Sequence, residues 1–228
     1  MVAENLGNIR SKIRSVCLRT GRDPEEIGLI AVTKSIDSGK ILEAYEAGQR
    51  DFGENYVQEF RQKQEIITAG DIRWHFIGHL QTNKVKSLID TVSLIHSVDS
   101  FHLTEEIERQ ASKRNRHVDA LIEVHTTDEG TKSGVSPEGV LPLVEQISAL
   151  QHVHITGLMT IGPFLPDPET ARPCFRRLRQ LKEDIEQRQI AGVHIRHLSM
   201  GMTNDFEIAI EEGATLLRIG TAIFGHRP

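Results

Sequence analysis

A lysine ends the first strongly apolar run of the chain, at a position that can make its amine reactive. Lys34, within the segment AVTKS, ends the first predicted strand and shares strand parity with Ile30 and Val32. A lysine that continues an apolar face is costly to desolvate unless its charge is paired or its pKa falls. A lysine of lowered basicity is a nucleophile that can form a Schiff base with an aldehyde. The alternative is an amine that reaches solvent just past the strand, and the local pattern leaves both open.

Two glycine-bearing turns near the C-terminus have the composition of a phosphate site. They are SMGMTND at residues 199–205 and RIGTAIFG at residues 218–225. Glycine lets a backbone approach a ligand closely, and Ser199, Thr203 and Thr221 add hydroxyl groups beside helix N-termini with unpaired N–H donors. Two ordinary tight turns are the alternative.

The lysine and the two turns together fit a phosphorylated aldehyde. Pyridoxal 5′-phosphate carries both groups that such a site would bind. Arg218, one residue before Ile219 at the end of the last predicted strand, is then placed to reach the heteroaromatic nitrogen. A structural ion pair is the other interpretation of this arginine.

The order of the elements explains how residues so far apart in sequence can meet. Short apolar runs alternate with amphipathic helical stretches, a pattern typical of βα units around a parallel sheet. A helix is predicted over residues 4–20, ended by Gly21. Strands are predicted at residues 29–33, 50–53, 74–78, 93–97, 120–125, 155–160, 194–198 and 215–219.

Eight strands in 228 residues predict an α/β fold, a single (β/α)8 TIM barrel over residues 1–228 with an extra N-terminal helix. An open doubly wound sheet is the alternative. In such barrels active sites gather at the C-terminal ends of the strands, and the loops after strands seven and eight frequently hold a phosphate. The barrel therefore predicts that Lys34 and both turns share one face.

Composition disfavours several classes of protein. The chain has 27 Lys and Arg against 32 Asp and Glu, so a net charge of −5 provides no broad cationic surface for nucleic acid or anionic lipid. Cys17 and Cys174 are far apart and outside any Cys-x-x-Cys spacing, which argues against a disulfide framework or thiolate metal site. We find no signal-peptide pattern and no apolar run of about 18 residues. A cytoplasmic protein without nucleic-acid or membrane partners is expected.

Two other patterns in the sequence could indicate a different function. His152 with His154, and His75 with His79, have spacings that place each pair on one strand face, as in a barrel metallohydrolase. However, His152 and His154 precede the sixth strand, away from the expected chemistry face, and no metal site is predicted. The basic run FRRLRQLK at residues 175–182 is followed by EDIE, which favours a salt-bridged helix face over a nucleic-acid patch.

Six ordered motifs closely resemble the pyridoxal phosphate homeostasis protein family. They are AVTKS, FGENYVQE, WHFIGHLQTNK, GLMTIGP, LSMGMTNDFEIAIEEGAT and RIGTAIFG, and they extend over residues 30–225. Members of this family are barrels similar to the N-terminal domain of bacterial alanine racemase. They bind pyridoxal phosphate through a lysine, have no established reaction, and are proposed to carry or buffer the cofactor.

The resemblance implies a role for each matching residue. Lys34 would be the aldimine lysine, Asn55 in GENY would line the cofactor face, and Arg218 would face the pyridine nitrogen. The residues implied around the phosphate are Ser199, Gly201, Met202, Gly220 and Thr221.

Three positions depart from the family pattern. His125 and Thr131 stand where asparagine and serine are expected, and Thr203 stands where serine is usual. Thr131 and Thr203 keep the hydroxyl groups of the serines that they replace. His125 lies at the predicted end of the fifth strand and replaces an amide by an imidazole, so the resemblance does not determine that wall of the pocket.

Two functions follow, a cofactor carrier without turnover and a pyridoxal-phosphate enzyme such as an amino-acid racemase. Racemisation needs acid–base groups on both faces of the cofactor, and in alanine racemase a second domain helps to supply one. The sequence ends three residues after Gly225, so we expect no such domain here. The prediction is a monomeric, non-catalytic carrier of pyridoxal phosphate, with pyridoxal-phosphate-dependent apo-enzymes as the acceptors.

Overall fold

Eight parallel strands close into a barrel in the computed structural model, which describes residues 1–127 and 133–225. Each strand pairs with the next one along the chain, and the eighth closes the barrel against the first. The predicted (β/α)8 barrel is therefore confirmed, and the open sheet is wrong. The strands are β1 (Gly28–Val32), β2 (Asp51–Glu54), β3 (Arg73–Phe76), β4 (Val92–Val98), β5 (Val118–Glu123), β6 (Val153–Met159), β7 (His197–Ser199) and β8 (Leu216–Ile219).

Helices surround the barrel, and one of them precedes the first strand as predicted. This helix, α1, ends at Gly21, whose φ of +70° is a left-handed conformation that glycine adopts without strain. It packs against the second helix and the last two helices of the chain, and the Asn5 side-chain amide donates to the Ile223 carbonyl oxygen at 2.9 Å. The helices are α1 (Val2–Thr20), α2 (Ser38–Glu46), α3 (Val57–Ile66), α4 (Phe101–Ser112), α5 (Pro137–Ile147), α6 (Arg172–Arg188), α7 (Phe206–Glu211) and α8 (Thr221–Phe224).

The seventh strand begins later than the sequence predicts. Residues 194–198 were expected, but β7 is His197–Ser199. Ile195 is buried although it lies before the strand, so the alternation of apolar and polar residues in the sequence starts too early. Gly192, which has a φ of +78°, lies in a turn before this strand. The weakly patterned second strand is present, shifted by one residue to Asp51–Glu54.

The core has two layers, one between sheet and helices and one inside the barrel. Phe52, Phe60 and Phe76 fill part of the outer layer. Residues two apart on a strand point to the same side of the sheet, so the strands that contribute the inner apolar layer also point some polar side chains into the barrel. The inner apolar layer consists of Ile30, Leu94, Leu121, Met159 and Leu216, and the polar residues that share its strands and faces are His96, Glu123 and Arg218.

Strands β6 and β7 lie so close together at Gly157 that one added methyl group there should lower the stability of the fold. A Cβ on Gly157 would lie 2.3 Å from the His197 carbonyl oxygen, so Gly157→Ala should destabilise the fold by roughly 1–3 kcal/mol through overpacking. Gly7→Ala is the control, because α1 leaves that position open. This variant should gain roughly 0.5–1 kcal/mol of helix propensity. Denaturant unfolding measures both, and equal stability of the two variants would contradict the prediction.

Candidate functional site

The loop after β1 places Lys34 at the C-terminal rim of the barrel. β1 ends at Val32, so Lys34 lies two residues past the strand and is partly buried. Ser35 has a φ of +58°, and the chain turns there towards Asp37, the N-cap of α2. Lys34 therefore lies at the predicted rim, in the turn after the strand.

A buried ion cluster formed by Glu54, Glu59 and Lys63 lies beside this loop, and we call it the rim ion cluster. Glu54 is fully buried and Lys63 is 6% exposed. The Lys63 ammonium donates to Glu54 Oε1 at 2.6 Å and to Glu59 Oε2 at 3.0 Å. Burial raises the pKa of the Glu54 carboxyl, and the hydrogen bond from Lys63 opposes that rise. The three charges are thus mutually dependent.

The rim ion cluster holds the backbone on both sides of Lys34. Lys63 Nζ donates to the Thr33 carbonyl oxygen at 2.6 Å, and the Ser35 N–H donates to Glu59 Oε2 at 2.7 Å. Hydrogen bonds to charged groups are stronger than neutral ones. The peptide groups flanking Lys34 are therefore fixed, which limits the positions that its amine can reach.

Sequence reasoning missed this cluster. Glu59 and Lys63 are four residues apart on α3, a spacing that brings side chains together on a helix, so this pair was detectable. The contacts with Glu54 and Thr33 depend on how α3 packs against the barrel, and no local pattern reveals that.

Arg218 brings a buried positive charge to the interior of the barrel. Its Nη1 donates to Ser199 Oγ at 2.5 Å, and its Nη2 donates to the Thr160 carbonyl oxygen at 2.8 Å. Desolvation lowers the pKa of Arg218 to about 10, against the attraction of Asp205 and Glu123. The guanidinium is still charged at neutral pH. Burying such a charge costs stability, so its placement calls for a functional reason.

The turns after β7 and β8 meet at the same rim. Gly201 has a φ of +91°, and a Cβ there would lie 2.5 Å from the Ala209 Cβ, so the turn requires glycine. Asp205 Oδ1 accepts the Met202 N–H at 2.6 Å, and the Ala222 N–H donates to Thr203 Oγ1 at 3.4 Å. The structure therefore brings the two predicted turns together.

Gly220 lies against the end of β1 and connects the turns to Lys34. A Cβ on Gly220 would approach the Val32 carbonyl oxygen to 3.3 Å. The register pairs Ile30 with Arg218 and Ala31 with Ile219, so the segments that follow these strands leave the barrel side by side. Lys34 and the turn after β8 therefore share one rim.

Three predicted site residues differ in the surroundings of their polar atoms. The Ser199 hydroxyl is fully buried and faces into the barrel, towards Arg218 and His96, while Thr221 is exposed on the rim. Asn55 follows β2, and its Oδ1 atom is buried without a hydrogen-bond partner among residues 1–127 and 133–225. An orphaned acceptor of this kind costs free energy unless a ligand or water supplies a donor.

The histidines considered for a metal site form separate contacts. His152 Nδ1 lies 2.8 Å from Glu108 Oε1, His79 Nδ1 lies 3.5 Å from Asp99 Oδ2, and the ring of His75 lies between Asp51 and His96. Within the described residues, no three His, Cys, Asp or Glu side chains form a group that could hold a metal ion.

The other sequence features have ordinary surroundings. His125 donates its backbone N–H to the Val135 carbonyl oxygen at 2.9 Å, and its ring lies 3.3 Å from Thr127 Oγ1. Thr131 lies outside the described residues. The basic face of α6 forms ion pairs along the helix as predicted, with Arg179 3.8 Å from Glu183 and Lys182 3.6 Å from Glu186. Arg179 also lies 3.0 Å from Glu212, the residue that follows α7.

Comparison with known proteins decides the family. Residues 5–228 match the family described as alanine racemase, N-terminal domain. The pyridoxal phosphate homeostasis protein of Aquifex aeolicus (strain VF5) is 46% identical over 224 residues, which cover 98% of this chain and 97% of the relative. That of Escherichia coli (strain K12) is 38% identical, covering 99% and 97%. The chain belongs to the pyridoxal phosphate homeostasis protein family.

Solved structures agree with this membership. PipY of Synechococcus elongatus PCC7942 with PLP bound superposes on this member of the pyridoxal phosphate homeostasis family with a TM-score of 0.87. It is 36% identical, and the match covers 99% of this chain and 100% of PipY. Alanine racemase of Clostridium difficile 630 is 15% identical with a TM-score of 0.77, and 57% of it is covered, so it shares the fold. No helix within the described residues has the length and apolar character needed to cross a bilayer.

The rim ion cluster of this family member predicts a large cost for removing its cation. Lys63→Met leaves the fully buried Glu54 without its ammonium partner, and breaking a buried pair in this way typically costs about 3–5 kcal/mol. Lys12→Met on the exposed face of α1 should change stability by less than about 0.5 kcal/mol. Urea unfolding of both variants is the measurement. Similar midpoints would show that Lys63 does not hold the cluster.

Proposed function

We propose that this chain binds pyridoxal 5′-phosphate as a Schiff base at Lys34 and carries or buffers the cofactor without turning over amino acids. The observation that supports this most is the shared rim, where the fixed Lys34 loop meets the two glycine turns above a buried arginine. The relatives named for pyridoxal phosphate homeostasis, and PipY with PLP bound, support the same ligand.

Two features of the rim fit the cofactor. The buried Oδ1 of Asn55 has no partner among the described residues and can accept a hydrogen bond from a ligand beside it. Gly201 and Gly220 allow the turns after β7 and β8 to pack closely against Ala209 and Val32, which keeps both turns at the rim where we place the phosphate. Gly201, Met202, Gly220 and Thr221 therefore stay our assignment for the phosphate. Ser199, the fifth residue predicted around the phosphate, has its hydroxyl bonded to Arg218, so we assign it to holding the arginine that faces the ring nitrogen.

The proposed covalent step is a simple condensation. The neutral amine of Lys34 adds to the aldehyde carbon, and loss of one water leaves a carbon–nitrogen double bond. Hydrolysis reverses the step, so the cofactor is stored reversibly. The rim ion cluster contributes by holding the peptide groups on both sides of Lys34.

The charge of Arg218 favours storage over catalysis. A pyridoxal ring stabilises a substrate carbanion best when its nitrogen is protonated. A guanidinium facing that nitrogen opposes its protonation, whereas a carboxylate would favour it. Arg218 is charged at neutral pH, so the ring is a weak electron sink in the arrangement we propose.

The tyrosines of the chain also argue against a racemase. The chain has two, and racemisation needs an acid–base group on each face of the cofactor. Tyr45 donates its hydroxyl to Asp71 at 2.6 Å, near the start of β3 and so at the opposite end of the barrel from Lys34. Tyr56 follows β2 and is 58% exposed.

We further propose that apo-enzymes take the cofactor from an exposed rim and that the carrier is monomeric and cytoplasmic.

The Lys34 assignment predicts the site of reductive labelling. Borohydride treatment of the protein loaded with pyridoxal phosphate should attach the cofactor to Lys34, as identified by peptide mass mapping. Lys34→Ala should abolish the label, whereas Lys40→Ala, which removes an exposed lysine of α2, should leave it unchanged. A label found mainly on Lys40, Lys84 or Lys132 would place the site elsewhere.

The carrier proposal predicts that bound pyridoxal phosphate does not accelerate amino-acid chemistry. The loaded protein incubated with L-alanine in deuterium oxide should exchange the α-proton no faster than free pyridoxal phosphate. NMR follows the exchange and chiral chromatography the enantiomers. Faster exchange that Lys34→Ala abolishes would establish the alternative, a racemase-like enzyme.

A further inference from the structure

A continuous chain of hydrogen bonds crosses the barrel to Arg218 from the end where the strands begin, which we call the floor. Asp51 Oδ1 lies 3.1 Å from His75 Nε2, and His75 Nδ1 lies 3.0 Å from His96 Nε2. His96 Nδ1 lies 2.9 Å from Ser199 Oγ, which lies 2.5 Å from Arg218 Nη1. We call these five side chains the through-barrel chain. They come from β2, β3, β4, β7 and β8.

The two ends of the through-barrel chain carry opposite charges. Arg218 is a cation at one end. At the other end, burial is outweighed by hydrogen bonds from His75 and Arg73, which lower the pKa of Asp51 to about 2. Between them, His96 is fully buried, and desolvation lowers its pKa well below the ordinary value for histidine. The central imidazole is therefore neutral.

When each imidazole carries a single ring proton, the charged ends impose one direction on every hydrogen bond of the chain. The Asp51 carboxylate has no proton to give, so His75 donates from Nε2 and accepts at Nδ1. His96 then donates from Nε2 to His75 and accepts at Nδ1 from the Ser199 hydroxyl. Ser199 Oγ in turn accepts from Arg218. Every member donates towards Asp51, and no donor faces a donor.

This direction has a consequence for Arg218. Because the Ser199 proton is directed to His96, an oxygen lone pair of Ser199 faces Arg218 Nη1. Hydrogen bonds in a chain polarise one another, which strengthens the last acceptor. The Thr160 carbonyl oxygen holds Nη2, so both terminal nitrogens are positioned.

We infer that Asp51, His75 and His96 are positioning residues for the bound cofactor, because the through-barrel chain orients the Arg218 guanidinium that faces it. This inference rests on the proposed function, since it concerns pyridoxal phosphate at the opposite end of the barrel. A purely structural role would not need the chain. Apolar side chains fill the neighbouring inward positions at Leu94 and Leu216, and buried polar networks are often no more stable than apolar packing.

The first test needs no cofactor. Long-range ¹H–¹⁵N correlation spectra of the protein at pH 8 report which ring nitrogen of each histidine carries the proton. Both His75 and His96 should be Nε2–H tautomers. An Nδ1–H tautomer of His96 would reverse the chain and overturn the inference.

The second test compares two floor carboxylates that each bind an arginine. Asp51 pairs with Arg73 and belongs to the chain, whereas Asp71 pairs with Arg50 and does not. Asp51→Asn should raise the Kd for pyridoxal phosphate about three- to tenfold, the equivalent of one net hydrogen bond. It should also shift the Arg218 Nη1 resonance. Asp71→Asn should change neither.

The third test uses two variants of His96 to separate an effect on the position of Arg218 from an effect on the stability of the fold. His96→Gln keeps an acceptor for Ser199 and a donor for His75, so its Kd should stay within about twofold of the wild type. His96→Leu has neither and should bind as weakly as Asp51→Asn or more weakly. Thermal melting identifies any variant that has lost its fold. If a His96 variant has lost it, the result for Asp51→Asn, whose side chain is 22% exposed and keeps its shape in the variant, decides.

The outcomes distinguish this inference from the proposed function. If the wild type binds the cofactor at Lys34 and Asp51→Asn binds it equally well, the through-barrel chain has no positioning role and only this inference falls. If the wild type does not bind pyridoxal phosphate, both fall. Weaker binding by Asp51→Asn and His96→Leu, with rescue by His96→Gln, supports the inference.

Discussion

A positive charge inside a closed barrel has to be stabilised by the protein, because the barrel excludes the water that would otherwise solvate it. Arg218 imposes this constraint on its neighbours. Its partners come from the ends of β6 and β7, with Glu123 of β5 and Asp205 contributing their charge from further away. The barrel brings all these strand ends to one place, so the fold and the buried charge depend on each other.

The candidate site has two supports that lie on opposite sides of the sheet. The rim ion cluster lies between the barrel and α3 and fixes the backbone around Lys34. The hydrogen bonds of Arg218 lie inside the barrel. Because Lys34 and Arg218 are held by different layers of the protein, a change in one layer can leave the group held by the other in place.

Much of this architecture was predictable from the sequence, because periodicity and glycine positions are local signals. The eight strands, the helix ended by Gly21 and the location of both turns follow from such signals. The seventh strand was misplaced because Ile195 is buried outside the strand. The direction of the Ser199 hydroxyl was not predictable, because it depends on His96, 103 residues away. The contacts of Lys63 with Glu54 and with the Thr33 carbonyl oxygen were not predictable either, because they depend on how α3 packs against the barrel.

The pairing of β8 with β1 makes the candidate site depend on contacts between distant parts of the chain. The turn after β8 touches Val32, and Asn5 of α1 bonds to Ile223 of α8. Lys34 and its loop follow the first strand, whereas the turn beside them follows the eighth. Closing so long a loop costs conformational entropy, so a partly folded chain in which β8 is unpaired has an open sheet and an unfinished site. A ligand that requires both the loop and the turn therefore binds only the closed barrel and stabilises it against local opening.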